Sequence, residues 1–278
     1  MVLNRRFELE VSREGGNGRS MRFMAAAATD RGNFRNINQD SLLLCHGWVE
    51  GRESLLAAVC DGMGGLAKGE LASAAVVRTF FKWYQEELPQ ELKGRGGQAD
   101  MQEIGARWSL MLKRLNARLS EYAGRTGLKG MGTTFSGLLF LEDQYVIVHV
   151  GDSRVYWNGP PLRQLTQDHT CAAREVSWGR MTGEQARKDP RRNQLLQCVG
   201  ASPFVEPQVI GGGLQAGLYL LCSDGFYHEL GQEELAQGLD PARLADRQGM
   251  EESAHYLIER VRERGERDNI SVILIRVL

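Results

Sequence analysis

The sequence predicts an α+β domain built in layers. Many short apolar runs have strand length, and two pairs of longer stretches repeat apolar residues at helical spacing. No internal repeat, low-complexity tract or linker divides the chain.

Residues 22–30 (RFMAAAATD) and 40–46 (DSLLLCH) read as strands around a polar turn, RGNFRNIN. SLLAAVC, at 54–60, is continuously apolar and suits a strand covered on both faces. A helix is expected from about Ala67 to Leu88, stopped by Pro89. KGRGGQAD is loop by composition. A second helix is expected from about Met101 to Tyr122, with Ile104, Trp108, Met111, Leu112, Leu115 and Leu119 on one face. The period then shortens. Residues 133–141, 144–150 and 153–157 read as consecutive strands, and Asn158-Gly159 turns the chain into another at 161–165. Residues 166–202 are polar and arginine-rich, with a helical pattern around MTGEQARK, and read as an excursion over the surface. Strands follow at 206–210 and 217–223, helices at 231–238 and 250–264, and a last strand at 270–277.

Composition narrows the function. The chain has 278 residues, enough for one large domain or two small ones. Its 34 basic and 35 acidic residues leave a net charge of -1, which speaks against a nucleic-acid surface. No apolar run approaches the roughly 20 residues of a membrane span. Residues 1–21 read as a polar N-terminal extension with no signal-peptide core. The five cysteines form no CxxC pair and are odd in number, which argues against a disulfide framework or structural zinc and for a reducing, cytoplasmic setting.

The aspartates are the informative residues. Asp61, Asp152 and Asp224 each end an apolar strand beside glycine or serine, Asp268 precedes the last strand, and Asp40 opens an early one. Taken singly, Asp-Gly after a strand is a turn. Taken together, LLAAVCDGMGG, VIVHVGDSRVY, LYLLCSDGF and RDNISVILI each set a carboxylate at the mouth of a core strand. If those mouths converge, the carboxylates repel and need cations. All-oxygen donors favour Mg²⁺, Mn²⁺ or Ca²⁺, and hydrated cations in an open cleft suit hydrolysis of a phosphate ester. Arg35 then offers a donor fork for phosphate oxygens, although its spacing alone slightly favours a plain surface arginine in a turn.

Seven stretches now carry a resemblance: RGNFRNINQD, VCDGMGG, MGTTFSG, HVGDSRVYW, LTQDHT, LLCSDGF and RDNISVILI, in this order from residue 31 to 275. The chain resembles the PPM/PP2C family of metal-dependent protein phosphatases, in its bacterial branch. The resemblance implies a four-layer αββα sandwich: two antiparallel sheets flanked by antiparallel helices, over residues 22–278, with a flap subdomain at about 166–202. It implies Mn²⁺ or Mg²⁺ as cofactor. Asp61, Asp224 and Asp268 would hold one ion, and Asp61 with the Gly62 carbonyl a second. Asp152 with Asp224 would hold a third, weaker one. Arg35 would bind substrate phosphate, Asp40 would orient metal-bound water, and Gln39 and Asn269 would support the ligands from behind. The implied reaction is hydrolysis of phosphoserine and phosphothreonine in proteins by metal-activated water, reversing a Ser/Thr kinase.

Two departures stand out. Gln39 replaces a glutamate common in relatives and brings no charge. Met63 stands where eukaryotic relatives carry histidine, so protonation of the leaving group must come from elsewhere. His169 reads as part of a structural turn, and His228 receives no role from sequence. Thr133 and Thr134 read as core-strand residues beside the cleft, Ser153 and Ser223 as hydrogen-bonding neighbours of the ligands. Arg174, Arg180, Arg187, Arg191 and Arg192 are either phosphopeptide-attracting or simply solvated, while Val176, Trp178 and Met181 suggest that the excursion packs against something. A pseudophosphatase that only binds is the competing reading, but all the aspartates are present. A haloacid-dehalogenase-type mechanism is disfavoured because neither Asp61 nor Asp224 begins a D-x-D motif.

Overall fold

The computed structural model describes residues 8–10, 22–64, 68–94, 100–159, 162–240 and 243–278. Most of the polar extension, most of the KGRGGQAD loop, Gly65 of the first Asp-Gly motif and the centre of the 158–162 turn lie outside these. The architecture is two sheets packed face to face with helices on both outer faces, as the resemblance implies.

The first sheet runs in the order β1 (Glu8–Glu10), β3 (Ser41–Val49), β4 (Arg52–Cys60), β7 (Phe135–Leu141), β8 (Gln144–Val150) and β11 (Gln208–Gly213). The second runs β10 (Leu162–Gln164), β9 (Arg154–Asn158), β12 (Gly217–Cys222), β13 (Ile270–Val277) and β2 (Phe23–Asp30). Two residues each from β5 (Gly62–Met63) and β6 (Gly132–Thr133) form a small ribbon at the cleft. All described pairings are antiparallel except β1 with β3. The three residues of β1, read from sequence as part of a polar lead-in, are therefore an edge strand.

β4 shows how composition becomes layering. Leu55, Ala57 and Val59 point between the sheets, while Leu56, Ala58 and Cys60 point to the helices. Side chains alternate faces along a strand, so a run apolar at every position demands cover on both sides. β13 repeats this, with Ile273, Ile275 and Val277 inward and Ile270, Val272 and Leu274 toward the opposite helices.

Helices α1 (Gly69–Lys82), α2 (Leu88–Gly94) and α3 (Met101–Thr126) cover the first sheet. α3 starts at Asp100, whose carboxylate accepts the Gln102 and Glu103 N–H groups, and ends at Gly127 with φ 74°. α4 (Cys171–Ser177) and α5 (Gly183–Lys188) lie in the excursion, and the single turn α6 (Asp224–Tyr227) follows β12. α7 (Gln232–Gly238) and α8 (Arg247–Glu263) cover the second sheet.

Pro89 does not stop the first helix. Residues 83–87 widen into a π turn in which the Leu88 N–H reaches back to the Trp83 carbonyl. A proline ring clashes with the carbonyl four residues earlier in a regular α-helix, and the wider turn relieves that clash. The chain continues to Gly94, and Leu88 and Leu92 are buried in the core. All five cysteines are free, with Cys60 and Cys222 fully buried as core residues. Among the described residues, no helix is long and apolar enough to cross a membrane.

Candidate active site

Strand register alone brings the aspartates to one end of the sandwich. Ser41 pairs with Cys60, which sets Asp40 beside Asp61. Cys222 pairs with both Val272 and Arg154, which sets Asp224, Asp268 and Asp152 at the same mouth of the second sheet. The electrostatics agree: Asp61 lies in the field of Asp40, Asp224, Asp268 and Asp152. Burial first, and then these like charges, hold Asp61 well above the usual carboxylate range. Burial likewise raises Asp152 and Asp224, and pushes Asp40 up to about 7.

Three carboxylate oxygens in this cleft are buried without a hydrogen-bond partner: both of Asp40 and Oδ1 of Asp224. The Ser223 and Ser271 hydroxyls lie near enough to draw the Asp40 pKa partly back. Neither meets an Asp40 oxygen in good geometry. Ser223 accepts the Ser271 N–H, and the Ser271 hydroxyl shares a hydrogen bond with that of Thr29. Unsatisfied anionic oxygens in a buried cluster cost several kcal/mol unless a cation joins them. The donor set therefore fits a hard divalent ion in its chemistry. It is not a closed cage, because no three acidic, histidine or cysteine side chains among the described residues converge at ligand spacing. Asp268 gives one oxygen to Arg35 instead, at 2.7 Å.

The backbone around each aspartate is tightly fixed. The Asp61 N–H donates to the Thr134 hydroxyl, and its carbonyl accepts from the Thr134 N–H and the Thr133 hydroxyl, all at 2.9 Å. Thr134 in turn meets Ser153 at 2.7 Å. This is the work of the MGTT stretch. Gly62 has no room for a side chain: a methyl there would lie 2.4 Å from the Gln39 carbonyl oxygen and 2.6 Å from that of Gly69. Met63 pairs with Gly132 in the ribbon.

Asn269 pins the loop that carries Arg35. Its Oδ1 accepts the Gln39 N–H at 2.9 Å, while its Nδ2 donates to the Arg31 and Ile37 carbonyls at 2.9 and 3.2 Å. Gln39 does not face the aspartates through its amide nitrogen, which donates to Glu70 on α1.

Sequence reasoning left His228 without a role and missed Glu266. His228 sits 3.7 Å from an Asp224 oxygen and 3.7 Å from a Glu266 oxygen. Burial works against its charge, but Glu266 and Asp224 outweigh this and raise its pKa. Glu266 also accepts the Arg267 and Asp268 N–H groups. The pair thus ties the Asp224 turn to the Asp268 turn. Only the i, i+4 spacing of Asp224 and His228 hinted at this in the sequence. His169 is structural: its Nδ1 accepts from the Gly151 N–H, and burial lowers its pKa to about 4. Behind Asp152, Arg154 holds Asp168 in a fork and lies 3.6 Å over the Tyr227 ring, while the Tyr227 hydroxyl donates to the Asp152 carbonyl.

The excursion is tied to the body through Thr133 and Val199. Trp178 does not bury itself in that contact. It is 55% exposed, flanked by Arg174 and Arg180 at 5.1 and 4.5 Å.

Fold and site together define a layered α+β sandwich with an acidic cleft, one arginine at its rim. The model for the protein phosphatase 2C family matches residues 35–274, and the chain belongs to that family. It is 32% identical over 256 residues to the serine/threonine protein phosphatase PstP of Mycobacterium tuberculosis, covering 91% of this chain and 45% of that protein. It thus spans about half the length of that relative. It is 31% identical to the serine/threonine phosphatase Stp of Listeria monocytogenes, covering 89% of this chain and 93% of the relative. A crystal structure of the PstP catalytic domain with two manganese ions superposes with a TM-score of 0.70 at 31% identity, over 92% of this chain and 98% of that one.

Proposed function

We propose that the chain is a protein serine/threonine phosphatase that hydrolyses phosphoserine and phosphothreonine esters with divalent cations held in the acidic cleft. The observation that carries this is that register brings five aspartates, from five separate segments, to one end of the sandwich, where three buried oxygens of Asp40 and Asp224 have no hydrogen-bond partner. Asp61, Asp224 and Asp268 would hold one Mn²⁺ or Mg²⁺, Asp61 and the Gly62 carbonyl a second, and Asp152 with Asp224 a third.

Such ions supply Lewis acidity and a bound water acidic enough to act as nucleophile near neutral pH. The protein's own groups do the rest. Arg35 presents its guanidinium at the rim, where two parallel N–H donors match phosphate oxygens. Its 2.7 Å ion pair with Asp268 makes phosphate and Asp268 competitors for one cation. Asp40, whose buried carboxylate oxygens have no hydrogen-bond partner in good geometry, would accept from water in the cleft. Thr133, Thr134 and Ser153 hold the Asp61 backbone, and Asn269 holds the Arg35 loop.

The substrates would be phosphorylated proteins, with a cognate Ser/Thr kinase supplying them, in the cytoplasm. The test is hydrolysis of a phosphothreonine peptide with Mn²⁺ by Asp61→Asn and Asp224→Asn variants. Both are expected to lose activity, and full retention would overturn the reading. A calorimetric trace without Mn²⁺ binding by the wild type would favour a pure binding module instead.

A further inference from the structure

The ten-residue loop 31–40 is unusually well tied for an exposed connection. The Gly32 N–H donates to Asp30, Asn33 exchanges hydrogen bonds with Arg262, and Asn38 donates to Thr29. Asn269 takes the Arg31 and Ile37 carbonyls and the Gln39 N–H. Through these bonds the backbone is fixed from both ends. Yet Phe34 and Ile37, on either side of Arg35, remain 57% and 52% exposed. One exposed apolar residue needs no explanation. Two on a pinned loop, bracketing in sequence the arginine that reaches Asp268, are hydrophobes presented to solvent beside the rim of the cleft. Arg267, the neighbour of Asp268, lies 5.5 Å over the Phe34 ring and holds it in place.

We propose that Phe34 and Ile37 form a substrate-reading shelf that takes apolar side chains next to the phosphorylated residue of a protein substrate. The inference rests on the phosphatase reading and sharpens it. The occupant follows from continuity with the site: a chain whose phosphate reaches Arg35 brings its adjacent residues to the loop that carries Phe34 and Ile37. The mixed chemistry of the patch, cation between two hydrophobes, matches a phosphate flanked by apolar side chains. Because the loop is already ordered, binding there forfeits little conformational entropy.

The test compares phosphothreonine peptides that carry leucine or serine on either side of the phosphoresidue, with Mn²⁺ present. The wild type is expected to favour leucine-flanked peptides by roughly tenfold in kcat/KM, mostly through KM. The Phe34→Ser/Ile37→Ser double variant should bring this ratio close to one, and Phe34→Leu should keep it. The ratio is internal to each variant, so general damage to catalysis cancels. A wild type that ignores the flanking residue, or a double variant that retains the preference, overturns the proposal. So does a concentration-dependent dimer that the double variant dissolves, since the shelf would then belong to a second copy. A wild type inactive on every phosphate ester, para-nitrophenyl phosphate included, would instead bring down the phosphatase reading itself.

Discussion

Replacing Asn269 with alanine tests whether the Arg35 loop is held from beneath. The side chain is buried and makes three hydrogen bonds, to Gln39 N–H and to the Arg31 and Ile37 carbonyls. Each is worth about 1 kcal/mol net, and more where the abandoned partner stays dry. Arg31 and Ile37 are exposed residues whose carbonyls water can re-satisfy, whereas Gln39 is partly buried. The expected loss is therefore about 2–3 kcal/mol rather than the full desolvation cost of three groups. For a domain of this size that corresponds to about 5–10 °C in Tm. Freed from its anchor, Arg35 should lose its place at the rim, and kcat/KM on a phosphopeptide should fall by at least tenfold. Differential scanning calorimetry and steady-state kinetics read the two effects. A shift below about 2 °C with unchanged kcat/KM would refute the anchoring role.

Other predictions concern the cleft. Gly62→Ala places a methyl 2.4 Å from one backbone oxygen and 2.6 Å from another, so the variant should be recovered mostly unfolded or insoluble; a soluble protein with wild-type Tm would contradict this packing. Metal-free protein should lose stability as pH rises from about 6.5 to 8.5. Burial puts the folded pKa of Asp40 at about 7 and raises those of Asp61, Asp152 and Asp224 above the unfolded value, so the folded state binds more protons in this window. Unfolded imidazoles are still about half protonated at pH 6.5, so the buried His149 and His169, neutral when folded, oppose the trend at the low end of the window and cease to do so above about pH 7.5, where both states are neutral. A Tm in EDTA that rises over that window would show the aspartates to be uncoupled. Added Mn²⁺ should raise Tm and flatten the slope, while Asp61→Asn, relieved of one like charge, should melt higher than wild type without metal and gain less from Mn²⁺; calorimetry with and without the ion decides both.

Most strands were legible because their two-sided burial leaves a mark in the sequence. β4 and β13 are apolar at nearly every position, and only a strand between two layers needs that. β1 was missed although Glu-Leu-Glu alternates polar and apolar residues, because three residues in a polar lead-in are too few to mark a strand, and its pairing with β3 comes from tertiary context. α4 was missed because its Thr170 cap follows a motif that reads as a turn. The aspartates could be picked out by their position at strand ends, since register then decides which ends coincide. Glu266 could not, because its role depends on His228 approaching from another segment. The excess of hydrophobes at 176–181 pointed toward packing, but arginines flank Trp178 where a core was expected.

The π turn at residues 83–87 also sets the angular phase of everything after it. One residue of an α-helix sweeps about 100°, so deleting a single residue within the turn would rotate Leu88 and Leu92 out of the cavity they fill. The same deletion would return Pro89 to regular helical spacing, where its ring collides with the carbonyl four positions back. Chain length in this stretch is thus constrained as strictly as side-chain identity, and a one-residue gap there should be tolerated less well than most substitutions on the helix surface.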